Sequence, residues 1–293
     1  MTWKRRLVMA CACVGLLSAC RTESPSGEAI PPPAARGSLT FGRAEPPRAA
    51  EIRFLLALDV NAEVREKGTA SALRSSARSS LESVTRYRVL ETNADGLAAE
   101  VTFVKERESD GRETETGPLE GHTYVLDTRG GARTVTERGL PAGEEAREHV
   151  LEMFEGSLGE TSDVGRVLGG RTVAAGQRLP ELEAALARTF LLGSGEERQV
   201  SAVSVRFRER DPDARVALAD VEMEFILAEH PVRVLAPLRG TVSLDLASGA
   251  LRSLSVSGPA RVEVEPEAAA SGMTARGDGT VRLGVEVSVL KTP

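Results

Sequence analysis

From residue 51 onward, side chains alternate between apolar and polar at every second position, and this period of two constrains the fold more than any other feature. It is the repeat of a β-strand with one face in a core and the other in water. Ile52, Phe54, Leu56 and Leu58 alternate with Glu51, Arg53 and Asp59. Leu97, Ala99, Val101 and Phe103 follow the turn signal Asn93-Ala94-Asp95-Gly96, and with the run Thr85-Tyr87-Val89 before it they predict a hairpin. Val203-Val205-Phe207 and Ala219-Val221-Met223-Phe225-Leu227 flank the turn residues Asp211-Pro212-Asp213. Val242-Leu244-Leu246, then Leu254-Val256 in step with Val262-Val264, and finally Val281-Leu283-Val285-Val287-Val289 complete a meander. Residues 61–82, rich in Ser, Ala and Arg, fit a long strand or a loop equally well.

Between the β-rich stretches the period changes to that of a helix. Pro180 to Leu192 carries Leu182, Leu186 and Phe190 at intervals of four, with Glu181 and Glu183 in the first turn and Gly193 as a stop. A second stretch, about Glu144 to Glu155, places Ala146, Val150, Met153 and Phe154 on one side. The predicted class is therefore α+β, predominantly antiparallel β, with two β-meander halves and two short helices between them. Leu126-Asp127, Gly131-Ala132-Arg133-Thr134 and Gly139-Leu140-Pro141 recur as Leu244-Asp245, Gly249-Ala250, Arg252-Ser253 and Gly258-Pro259. Each copy reads as strand, tight turn, strand, exit, which suggests duplication.

The amino terminus has a different composition. Lys4-Arg5-Arg6 precedes an apolar run from Leu7 to Leu17, which has the length of a signal-peptide core and is shorter than the roughly 20 residues a spanning helix needs. The run ends in Leu17-Ser18-Ala19-Cys20, which resembles the lipobox of bacterial lipoproteins. That resemblance implies cleavage before Cys20, lipidation of its thiol, and anchoring to a membrane by two or three acyl chains. Cys11 and Cys13 would leave with the signal, so the mature chain is expected to have no intramolecular disulfide. Arg21, where an Asp would favour inner-membrane retention in enteric bacteria, points to the outer membrane. Residues 21–50 hold six of the fifteen prolines and no periodic apolar face, and they read as a tether reaching up to about 90 Å.

The expected organisation is a signal peptide (1–19), lipidated Cys20 and tether (20–50), a first β-rich half (51–142), a helical connection (143–198) and a second β-rich half (199–293). On this pattern the chain looks like uncharacterised duplicated β-sheet lipoproteins of GC-rich Gram-negative bacteria such as the myxobacteria, a resemblance that implies no activity. Residues 51–293 are expected to fold without the tether.

Several chemistries lack their residues. The 41% apolar and 27% charged composition suits a packed core rather than disorder or multiple membrane spans. The net charge of −6 becomes three units more negative without Lys4, Arg5 and Arg6, which disfavours a nucleic-acid partner. His122, His149 and His230 have no zinc spacing, and no G-x-S-x-G elbow or G-K-[ST] phosphate loop occurs. Gly193-Ser194-Gly195 lacks the third glycine of a dinucleotide loop, and Asp211-x-Asp213 breaks the calcium-loop pattern. The acid pairs Glu144-Glu145, Glu196-Glu197 and Glu222/Glu224 read as solvated, and Arg276-Gly277-Asp278 as a Gly-rich hairpin turn. With catalytic, cofactor and metal residues all expected to be none, two functions remain. The first is a non-enzymatic envelope scaffold for a protein partner or an apolar ligand; the alternative is an envelope hydrolase with a site assembled from distant residues.

Overall fold

The computed structural model describes residues 38–43, 45–65, 67, 73–154, 161–190, 198–208, 215–229 and 231–291. The chain starts with β1 (Ser38–Thr40) and then runs through β2 (Ala49–Arg65), β3 (Leu73–Asn93), β4 (Gly96–Ser109), β5 (Thr114–Thr116), β6 (Thr123–Asp127), β7 (Thr134–Glu137) and β8 (Leu140–Pro141). The connection holds α1 (Glu144–Phe154), α2 (Asp163–Leu168), β9 (Thr172–Ala174) and α3 (Pro180–Phe190). After it come β10 (Arg198–Phe207), β11 (Val216–Glu229), β12 (Val232–Asp245), β13 (Leu251–Val264), α4 (Pro266–Ala270) and β14 (Thr274–Val289).

The fold is thus predominantly antiparallel β, with α2 and α4 added to the two helices the sequence predicts. Alternation decides the strands: on β2, Ile52, Phe54, Leu56, Leu58 and Val60 are buried while Arg53, Leu55 and Asn61 are exposed. The ambiguous residues 61–82 supply the ends of two long strands, β2 and β3; residues 66 and 68–72 between them lie outside the described residues. The expected turn at Asp211-Pro212-Asp213 also lies outside them.

Both β-rich halves belong to one sheet, in the order β10-β11-β12-β13-β14-β2-β3-β4-β6-β7-β8, with β5 beside β4. The chain lays down one side outward from β2, crosses over through the helices, and returns from the far edge until β14 meets β2. That seam runs from Thr274 opposite Arg65 to Val289 opposite Ala50. Small residues let neighbouring strands approach closely. A Cβ on Gly240 would lie 1.9 Å from the Ser255 carbonyl oxygen, and one on Gly258 would lie 1.9 Å from that of Pro237. Apolar side chains on one face of the sheet build two cores. One lies under α2 and α3 and the other beside α1, where Val150 and Phe154 are buried and Ala146 is half-buried.

Four expectations need correction. The tether does not extend to residue 50: Leu39 and Phe41 are fully buried in the first core, and Ala49 already opens β2. A body starting at 51 therefore lacks part of its core, and the folded region begins by Ser38. Arg276-Gly277-Asp278 is not a turn, because it lies within β14, paired to β2 and β13. The two repeat copies do form the hairpins β6–β7 and β12–β13, each opened by an aspartate. Arg129 hydrogen-bonds Asp127 and holds its carboxyl at about 2. Burial opposes ionisation of Asp245, but hydrogen bonds from Arg252 and Ser248 outweigh it and keep that carboxyl low. The copies then diverge: Gly139-Leu140-Pro141 leads into β8, whereas Gly258-Pro259 continues inside β13 and is not an exit.

Candidate ligand-binding face

α3 does two things at once. Its apolar stripe packs on the sheet, with Leu182, Ala185 and Leu186 fully buried in the core shared with Val205, Phe207, Met223 and Leu244; the Phe190 side chain lies outside the described residues. Its polar side closes the sheet edge. Glu183 Oε1 accepts the Val205 backbone N–H at 3.1 Å, and the Phe207 carbonyl accepts the Gly176 N–H at 2.8 Å. Edge strand β10 would otherwise present these groups unpaired, a template for unwanted strand pairing.

The clamp is charged and held from both sides. Arg178 reaches Glu183 through two hydrogen bonds, at 2.9 and 2.8 Å. Asp163 at the start of α2 accepts hydrogen bonds from Arg166 and, at 2.8 Å, from Arg188 of α3, which ties the two helices together. Ser162 caps α2 by accepting the Gly165 N–H at 3.0 Å. Arg178 lowers the Glu183 carboxyl below its usual range against the opposing effect of burial, and the Val205 N–H adds to the lowering. A carboxyl lowered by folding stabilises above its unfolded value, near 4.3, and loses that contribution as pH falls through the folded value. We expect stability to drop on acidification below about pH 4. Urea melts across that interval should have a shallower pH slope in Glu183→Gln; an unchanged slope would remove Glu183 from this role.

The second core gathers both tyrosines: Tyr87 meets Phe154, and Tyr124 meets Phe103, edge to face at 6.4 and 5.9 Å. Burial pushes the Tyr87 hydroxyl up to about 12, and that hydroxyl donates to the Pro47 carbonyl at 3.5 Å. Along β3 the two cores are separated by the buried polar pair Ser83 and Thr85. Glu106, the cross-strand partner of Ser83, is also buried and accepts the Leu119 N–H at 3.3 Å. At the end of the sheet that holds the β11–β12 turn and α4, Ala62, Leu227, Val232, Val234 and Ala275 are half-buried and pack against the first core.

The outer face is polar. Glu51 pairs with Arg53 and Arg86, Asp59 with Arg78, and Glu63 with Arg74. Exposed pairs of this kind contribute little to stability and mainly keep the surface wet. A groove of about 1080 Å³ lies there, lined by Asn61, Glu63, Arg74, Arg276 and Asp278 among others. A second, of about 790 Å³, lies beside Pro46, Pro47, Glu286 and Val289. Glu222 and Glu224 are exposed on β11, and Glu144 and Glu145 are exposed in the first turn of α1.

The structure does not bring the histidines together as ligands. His122 precedes β6, stacks on Tyr124 at 6.2 Å and places Nδ1 2.6 Å from Glu137. His149 on α1 lies 5.7 Å from the Phe103 ring, with its Nε2 buried and without a hydrogen-bond partner. Among the described residues no group of three or more His, Cys, Asp or Glu is arranged to hold a metal. Cys20, His230, Gly193-Ser194-Gly195 and Glu196-Glu197 lie outside them. Sequence reasoning missed the Glu183 clamp and the Ser83/Thr85 interruption, since neither has a local motif.

No family model matches the chain, and no curated protein matches it. Among solved structures it has a slight similarity to DynF from the dynemicin biosynthesis pathway of Micromonospora chersina. Identity is 8%, coverage is 94% of this chain and 96% of that one, and the TM-score is 0.23, too low to bear on fold or function.

Proposed function

We propose that the chain is a non-enzymatic envelope lipoprotein, anchored through Cys20 in the outer membrane, whose sheet holds an apolar ligand on its helix-covered face. The observation that carries this reading is the distribution of polarity. Apolar side chains cover one face of the sheet from β10 to β7, helices are clamped over part of it, and half-buried apolar side chains border the core at the end where α4 stands. The basic start, the short apolar run and Leu17-Ser18-Ala19-Cys20 support the anchor.

Two measurements test the reading. Cys20→Ala should abolish incorporation of labelled palmitate and move the chain out of the membrane fraction; retained acylation would refute the anchor. Organic extraction of protein purified from its native membrane should release an apolar small molecule in stoichiometric amount. Repeated extractions that yield none would leave the scaffold reading with a protein partner as its ligand.

A further inference from the structure

The segment Arg276-Gly277-Asp278 takes no part in the helix-covered core. On β14 the side chains of Arg276 and Asp278 fall on the outer, polar face, out of phase with the buried Val281, Leu283 and Val285. The glycines beside Asp278 serve close approach. A Cβ on Gly277 would lie 2.3 Å from the Asn61 carbonyl oxygen, and one on Gly279 would lie 2.1 Å from that of Asp59. With β14 held this near to β2, Arg276 stands opposite Glu63 and Asp278 opposite Asn61. All four line the groove of about 1080 Å³.

Charge in this groove is unevenly satisfied. Glu63 is shared by two guanidinium groups, accepting from Arg65 at 2.7 Å and from Arg74 at 3.1 Å. Close by, Asp59 is taken by Arg78 and Glu263 by Arg233. Arg276 and Asp278 form no ion pair among the described residues, and nor does Arg261, the register partner of Asp278 on β13. Counting Arg261, four arginines stand against two carboxylates in a chain whose net charge is −6, so the groove suits an anion. Asp278 adds a second requirement. A carboxylate only accepts hydrogen bonds, so the ligand must bring donors close to its own negative group. Residues two apart on one face of a strand are about 7 Å from each other, a distance that one sugar ring spans. Asn61, Ser76 and Thr274 add neutral hydrogen-bonding groups, and the only hydrocarbon side chains in the lining are alanines, which give an acyl chain little to pack on. The volume exceeds what a single phosphate or carboxylate fills and lies at the top of the roughly 300–1,000 Å³ of small-molecule sites.

We propose that this groove binds an acidic oligosaccharide, with Arg276 paired to a sugar carboxylate and Asp278 accepting from the neighbouring hydroxyls. The site lies on the face opposite the helices, so it is separate from the apolar ligand and the anchor of the proposed function and depends on neither. The test is calorimetric titration of the full chain with tri-galacturonate, with maltotriose as the uncharged sugar and inorganic phosphate as the bare anion. Tri-galacturonate should bind saturably, maltotriose should not, and phosphate should bind at least about tenfold more weakly. Arg276→Gln should weaken tri-galacturonate binding about tenfold or more. Asp278→Ala should weaken binding of the sugar and leave that of phosphate unchanged. Neither side chain has an ion-pair partner to lose, so both variants should keep the wild-type urea midpoint. Arg86→Gln, which removes a paired arginine elsewhere on the same face, should bind as the wild type does. In the wild type itself, added sodium chloride should weaken binding, which tests the ionic contact without any substitution. Absence of tri-galacturonate binding, or equal binding by Arg276→Gln, would overturn the site. Phosphate binding as tight as that of the sugar would reduce the groove to an anion contact and overturn the oligosaccharide.

Discussion

Leu186→Ala should lower the free energy of unfolding by about 2–5 kcal/mol, because the side chain is fully buried between α3 and the sheet and its removal leaves a cavity. Leu182, one turn earlier, is equally buried and should respond alike. Ala184, exposed on the other side of the helix, is the control, and Ala184→Ser should change stability by no more than about 0.5 kcal/mol. Urea denaturation followed by circular dichroism gives both values. A loss below about 1 kcal/mol for Leu186→Ala would mean that the packing described for α3 is wrong.

Gly258→Ala should be at least as damaging, with a loss of about 3 kcal/mol or more. The added methyl would sit 1.9 Å from the Pro237 carbonyl oxygen, which belongs to the neighbouring strand's backbone and cannot swing aside as a side chain could. Gly284 provides a strict comparison because it also lies within a strand of the same sheet. A Cβ there meets nothing closer than 3.7 Å, so Gly284→Ala should cost little, and its reduced unfolded-state entropy could offset that cost. Equal losses in the two variants would show that close approach at Gly258 does not shape the sheet.

Both predictions depend on features that differ in how far the sequence announces them. The Leu182–Leu186 stripe is legible because helical spacing is a local property, and α3 spans Pro180–Phe190 as its proline and early glutamates suggest. Gly258-Pro259 misleads. Local chemistry offers a chain exit, but within β13 the same glycine serves a close approach to the Pro237 backbone of the neighbouring strand, since both uses call for a missing Cβ. Arg276-Gly277-Asp278 misleads in the same way. The six-residue α2, whose buried apolar side chains are Val164 and Leu168, is too brief to leave a period.

The sequence by itself determined which face of the strands is buried and the two longer helices, because alternation and helical stripes are both written between near neighbours. It also contained the turn at Asn93–Gly96, where the Asn93 side chain accepts the Asp95 N–H at 2.9 Å. The tertiary structure alone decided which strands are neighbours. Alternation specifies a face and says nothing of a partner, so the pairing of β14 with β2, the merging of two halves into one sheet, the recruitment of Leu39 and Phe41 from an apparent tether, and the clamp from Glu183 to Val205 could only be settled by long-range packing.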